Sequence, residues 1–192
     1  MSTEHIPTPS QTSGPFLHLG LTDKRSVVRI AGPEVTGERL RLKCRVLDAD
    51  AVPLNDAMIE IWQANAEGKY NHPDDPRGTG ADAGFRGFGR AATDENGACE
   101  FETIKPGPVA GPGNSVQAPH LNAAVFGRGI LLQLHTRIYF AGDPLNESDP
   151  VLALVSPERR ETLIARPDPA QVNTWGFEIR LRGERETVFF DI

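Results

Sequence analysis

Arg39-Leu40-Arg41-Leu42-Lys43-Cys44-Arg45-Val46 decides the fold. Apolar and cationic side chains alternate through it with a period of two, the pattern of a strand with one buried face. The same pattern recurs at short intervals along the chain. Residues 57–63 set Ile59 and Ile61 on one face against Glu60 and Trp62 on the other. Asp94-Glu95-Asn96-Gly97 ends in the Asn-Gly pair of a tight hairpin, with a return strand predicted over 98–104. Pro119-His120-Leu121-Asn122-Ala123-Ala124-Val125-Phe126 reads as a short buried strand, closed by a tight Gly127-Arg128-Gly129 turn. The longest strand follows over 130–140. Ile130, Leu132, Leu134, Ile138 and Phe140 share one of its faces, and Gln133, His135, Arg137 and Tyr139 share the other. Residues 175–181 alternate again, and 186–190 suggest a last short strand. One helix is expected over 157–166, from Ser156 as N-cap, Pro157 in the first turn, early Glu158 and Glu161, and late Arg166. The sum is a mainly β chain: an antiparallel β-sandwich with long loops and one short C-terminal helix, forming a single domain over 1–192.

Two segments are less regular. Residues 6–20 hold three prolines and two glycines among small hydroxyl side chains, which predicts an extended arm over 1–20 rather than a helix. Phe16, Leu17 and Leu19 give that arm apolar anchors, so it reads as an ordered arm on a surface or as a loose tail. Residues 64–89 form a long irregular excursion carrying Tyr70 and His72; loops of this length in a compact chain are often functional.

The bulk numbers narrow the function classes. At 192 residues, 39% hydrophobic and 24% charged, the chain can bury a core without staples. A net charge of −6 with no basic stripe argues against nucleic-acid binding. The apolar run 123–134 is broken by Arg128 and too short to span a membrane. Met1-Ser2-Thr3-Glu4-His5 has neither the basic start nor the apolar core of a signal peptide. Cys44 and Cys99 lie far apart in sequence, each in a predicted strand, with no CxxC; buried reduced thiols in a cytoplasmic protein are the expectation.

His120 and Asn122 sit two positions apart on a strand and so point to the same side. A His-x-His pair there would aim two imidazoles at one metal ion. An amide at the second position suits hard ions such as calcium better than a metal that favours imidazole. This strand carries half a metal site.

Trp62-Gln63-Ala64-Asn65-Ala66-Glu67-Gly68-Lys69-Tyr70, Thr103-Ile104-Lys105-Pro106-Gly107-Pro108 and Ala118-Pro119-His120 resemble the intradiol ring-cleaving dioxygenases. These β-sandwich enzymes open catechols between the two hydroxyls with a non-haem ferric ion held by two tyrosines and two histidines. Carried over by position, Tyr70 matches the first tyrosine and His120 the first histidine. Val109 stands where the second tyrosine belongs, and Asn122 where the second histidine belongs. Residues 8–15, 134–140 and 183–191 resemble the α-type subunit of the heteromeric members.

That resemblance implies a homologous β subunit holding Fe(III), 3,4-dihydroxybenzoate and O2 as substrates, and 3-carboxy-cis,cis-muconate as product. It also sets Thr12, Gly14 and Pro15 of the arm against the substrate in the partner's cavity. A hard ferric ion favours anionic oxygen donors, so two surviving ligands, Tyr70 and His120, are too few for a tight site. In a chain of net charge −6 an anionic substrate needs a local cation, and Arg137 is the candidate because guanidinium meets carboxylate in two-pronged geometry. Read without the resemblance, Arg137 is equally a surface residue paired with an acid, and Tyr70 and His120 bond each other or their neighbours in a relict pocket. Tyr139 is tied to His120 by no motif. Two other functions stay open: a self-sufficient catechol intradiol dioxygenase, and a non-catalytic transthyretin-like or carbohydrate-binding β-sandwich.

Overall fold

The computed structural model describes residues 7–75, 77 and 82–191. The first six residues of the predicted arm therefore lie outside the described residues.

Among the described residues ten strands form: β1 (Arg39–Leu47), β2 (Met58–Gln63), β3 (Phe88–Ala92), β4 (Ala98–Ile104), β5 (Val109–Ala110), β6 (Val116–Gln117), β7 (His120–Phe126), β8 (Leu134–Phe140), β9 (Ile164–Pro167) and β10 (Thr174–Arg180). Eight of them join in the order β3-β2-β7-β8-β9-β10-β1-β4, while β5 and β6 form a separate two-stranded ribbon. The strip folds over at β9, which pairs in parallel with β8 and antiparallel with β10. Another parallel ladder joins β1 to β10. The sandwich is therefore mixed rather than purely antiparallel, because the chain crosses over to reach both β9 and β10.

The alternation of β1 does what its sequence requires. Leu40, Leu42, Cys44 and Val46 enter the core with Ile59, Ile61, Leu121, Ala123, Ile138, Phe140, Phe101 and Ile179. Arg41, Lys43 and Arg45 face outward. Burying such side chains contributes about 1.5–3 kcal/mol each, so a register slip of one residue on β1 would cost most of its stabilisation.

Five expectations are corrected. The Asp94–Gly97 turn forms, with the Asp94 carboxylate accepting from the N–H groups of Asn96 and Ala98. Yet β3 and β4 stand at opposite ends of the sheet order. Residues 27–30 fill the gap between them instead: Val27 and Arg90 exchange both backbone hydrogen bonds, and Glu102 bonds Val28 and Ile30. Second, the strand predicted over 130–140 begins only at Leu134. Gly127–Ile130 closes a turn, the following residues bend, and Leu131 and Leu132 lie exposed. Third, the arm is not extended to residue 20: α1 (Phe16–Leu21) is helical, because Pro15 is its N-cap, where a missing N–H costs nothing. Fourth, the C-terminal helix is one turn, α2 (Pro157–Arg160), followed by a 3-10 turn at Glu161–Leu163 and then by β9. Fifth, residues 186–190 contribute a single bridge, Phe190 to His135, rather than a strand.

Cys44 and Cys99 are free and face each other across the β1–β4 ladder. Among the described residues no helix is long and apolar enough to cross a membrane.

Candidate functional site

The site stands on the outer face of β2, β7 and β8, and its frame is the run 62–70 locked to the run 103–108. Gln63 is fully buried. Its amide donates to the carbonyls of Ala64 and Ile104, and its oxygen accepts from the Thr103 hydroxyl at 2.7 Å. The Asn65 side chain accepts from the N–H groups of Glu67 and Lys69, folding the chain back, and the Asn65 carbonyl takes the Gly107 N–H at 2.9 Å. Gly68 makes the close approach with φ +76; a Cβ there would lie 1.9 Å from the Pro108 oxygen. These bonds fix the loop that delivers Tyr70. Tyr70 then stacks on Trp62, rings parallel to within 1° and centroids 6.0 Å apart.

Across the ladder, His120 pairs with Tyr139 and Asn122 with Arg137. The His120 and Tyr139 rings lie 5.8 Å apart. Tyr139, which no motif tied to His120, is thus its direct neighbour. The link was hidden because register on β8 depends on the length of the 127–133 loop, which the two glycines do not reveal.

A second apolar cluster covers this end of the face, built from Ala118, Tyr139, Leu152, Val155 and Leu163. Asp149, fully buried, ties it to the strands. Its carboxylate accepts from the Tyr139 hydroxyl at 3.0 Å and from the N–H groups of Ala118, Val151 and Leu152. Sequence reading missed Asp149, because a carboxylate in a Ser-Asp-Pro loop looks like ordinary turn chemistry.

The donor set has an uneven character. His120 is 1% exposed; its Nδ1–H donates to the Ala118 carbonyl at 2.7 Å, which fixes the neutral tautomer and leaves Nε2 a free lone pair. That nitrogen is buried and has no hydrogen-bond partner among the described residues. Burial, then the nearby Arg137 charge, lowers the His120 pKa to about 4. Burial pushes the Tyr70 hydroxyl up, against the opposing pull of the Asn122 amide and Arg137. Burial also raises Tyr139, with Arg137 opposing.

Val109, buried on β5, pairs with Gln117 of β6. The Gln117 side-chain oxygen accepts from Arg137 Nη1 at 2.6 Å. Arg137 thus holds an amide, not an acid, and among the described residues it forms no ion pair. It lines a groove of about 450 Å³ with Trp62, Phe88, Asn122, Val151 and Phe190.

These residues do not fit a ferric ion. His120 Nε2 is a ready donor, but the residue two places on along its strand is the amide Asn122, and the residue after Gly107-Pro108 is Val109. Tyr70 is held toward its neutral form, and the Asp149 carboxylate is spent on four donors. A fixed guanidinium beside Tyr70, His120 and Tyr139 repels a further cation. Among the described residues no cluster of three or more His, Cys, Asp or Glu side chains is placed to hold a metal.

Tyr70, His120, Asn122 and Arg137 are brought together; the arm residues are not. Thr12 accepts from the Gly129 N–H at 2.6 Å, in the turn at the far end of the β7–β8 hairpin, beyond roughly 13 Å of strand between Asn122 and Phe126 at ~3.3 Å per residue. Gly14 and Pro15 line a small separate pocket with His18, Asp56 and Arg128.

The chain belongs to the intradiol dioxygenase family, whose members are non-haem iron oxidoreductases; the family model described as "Dioxygenase" matches residues 12–183. It is 40% identical over 205 residues to the protocatechuate 3,4-dioxygenase alpha chain of Pseudomonas putida, covering the whole of both chains. It is also 36% identical over 161 residues to the protocatechuate 3,4-dioxygenase beta chain of Burkholderia cepacia, covering 80% of this chain and 68% of that one. Among solved structures, catechol 1,2-dioxygenase from Acinetobacter sp. ADP1, inhibited by bound mercury, matches with a TM-score of 0.63 and 28% identity, over 79% of this chain and 55% of that one.

Proposed function

We propose that this chain is the α-type subunit of a heteromeric protocatechuate 3,4-dioxygenase, a single domain that leaves iron binding to a homologous β subunit. The assembled enzyme opens 3,4-dihydroxybenzoate with O2 between its hydroxyls to 3-carboxy-cis,cis-muconate, in the cytoplasm. The observation that carries this reading is the pairing of full-length similarity to an alpha chain with a donor set unsuited to ferric iron. The partner's Fe(III) supplies the redox chemistry of ring opening.

This chain contributes shape and charge to the substrate cavity. Thr12 offers a hydroxyl, while Gly14 and Pro15 offer a flat, rigid wall. Their distance from Arg137 within one chain supports a role in the partner's cavity rather than in this chain's own groove. Arg137 receives the substrate carboxylate. It is bonded to an uncharged amide and lines a groove with Trp62, Phe88 and Phe190, where the carboxylates Glu60 and Asp191 also stand. Tyr70, Val109, His120 and Asn122 form a relict metal site that now serves packing.

In the assembled enzyme, Arg137→Ala is expected to raise KM for 3,4-dihydroxybenzoate at least tenfold, the loss of about 1.4 kcal/mol or more, while leaving KM for unsubstituted catechol nearly unchanged. Equal losses for both substrates would exclude the carboxylate role.

A further inference from the structure

The two cysteines take no part in the Tyr70–His120 site, yet the fold brings them face to face. Cys44 on β1 is the direct antiparallel partner of Cys99 on β4. Val46 N–H bonds the Gly97 carbonyl, and the N–H and C=O of Glu102 turn away from β1 toward Ile30 and Val28. Counting by twos along the ladder makes Cys44–Cys99 a hydrogen-bonded pair, with Cα atoms about 5.5 Å apart. That separation lies within the range a disulfide spans. Both side chains face the core, where Cys44 is buried and Cys99 half-buried. As strand partners the thiols are neighbours on one face, and the proximity of Cys99, then burial, pushes the Cys44 thiol well above its ordinary pKa.

We propose that Cys44 and Cys99 form a reversible oxidation site, closing to an intramolecular disulfide when the protein meets hydrogen peroxide. Cys99, the more exposed sulfur, reacts first. Its thiolate attacks one peroxide oxygen, the O–O bond breaks, an S–O bond forms, and the departing hydroxide takes a proton to leave as water. Cys44 then attacks the Cys99 sulfur: the S–O bond breaks, the S–S bond forms, and a second water leaves with the Cys44 proton. Two thiols are oxidised by two electrons and one peroxide is reduced to two waters. Burial restrains Cys44 as an initial nucleophile, but its place directly opposite Cys99 makes it the resolving thiol. The product fastens β4, the end strand of the sheet order, to β1.

The test uses the protein as it assembles, treated with hydrogen peroxide under native conditions and mapped by peptide mass spectrometry without reduction. The expected result is a peptide pair joined through Cys44 and Cys99, lighter by two hydrogens and released by dithiothreitol. Cys44→Ser should abolish the crosslink and leave a sulfenic acid on Cys99 that dimedone traps. Two unmodified thiols after treatment, sulfinic or sulfonic acid on Cys99 in the wild type, or disulfides only between chains would each overturn the proposal.

Discussion

Acidification should unfold this protein through His120. In the folded chain its imidazole is neutral: Nδ1–H is committed to the Ala118 carbonyl, the ring is sealed under the Asp149 cluster, and Arg137 opposes a second positive charge. Asp149 pulls the other way but is outweighed. The folded pKa is about 4, against 6.5 for an unperturbed histidine. Between those values the unfolded chain binds a proton that the folded chain refuses. Stability is therefore intact above about pH 6.5, falls as pH drops through that window, and has lost its full share below about pH 4. At ~1.4 kcal/mol for each tenfold difference in proton affinity, that share is ~3 kcal/mol, a large part of a typical folding free energy. Urea denaturation between pH 7 and about pH 4 should show wild type losing that amount relative to His120→Gln, whose amide does not titrate. Carboxylates elsewhere affect both proteins alike and cancel in the comparison. Parallel pH profiles for the two proteins would refute the reasoning.

Other consequences follow from the same geometry. Gly68→Ala should cost about 3 kcal/mol or more by urea denaturation, because its Cβ would strike the Pro108 oxygen and force the two loops apart. Gly113→Ala, at φ +63 but with nothing within 4 Å, should cost only about 1 kcal/mol. Asp149→Ala strands the Tyr139 hydroxyl and three N–H groups, and should destabilise by about 3–5 kcal/mol; Tyr139→Phe, which removes one of those donors, should cost about 1 kcal/mol in the same assay.

How much of this was legible in the sequence depends on whether local pattern or long-range register did the deciding. The alternation of β1 and β2 was read correctly because one face of each is fully buried and the period of two leaves no other solution. The same logic failed at Leu131–Gln133, where two leucines lie on the surface and only the width of the turn decides. Asn96-Gly97 announced a turn, but no local signal tells that residues 27–30 will claim the strand edges it separates. Among site residues, Tyr70, His120, Asn122 and Arg137 were legible from motif and parity. Tyr139 and Asp149 were not, because one depends on loop length and the other on a fold-back of some thirty residues. The arm's helix was obscured by its prolines, whose placement before the first turn permits the helix that they would break further in.

In the proposed function, a valine, an amide and a guanidinium leave this chain without a ferric site of its own. The most direct measurement is iron content by elemental analysis, together with the visible spectrum, of the folded chain purified alone and of its assembly with the homologous β partner. The account predicts a colourless, iron-free chain and one ferric ion per αβ pair, with dihydroxybenzoate cleavage only in the assembly. A stoichiometric ferric ion with a tyrosinate charge-transfer band in the isolated chain would contradict it.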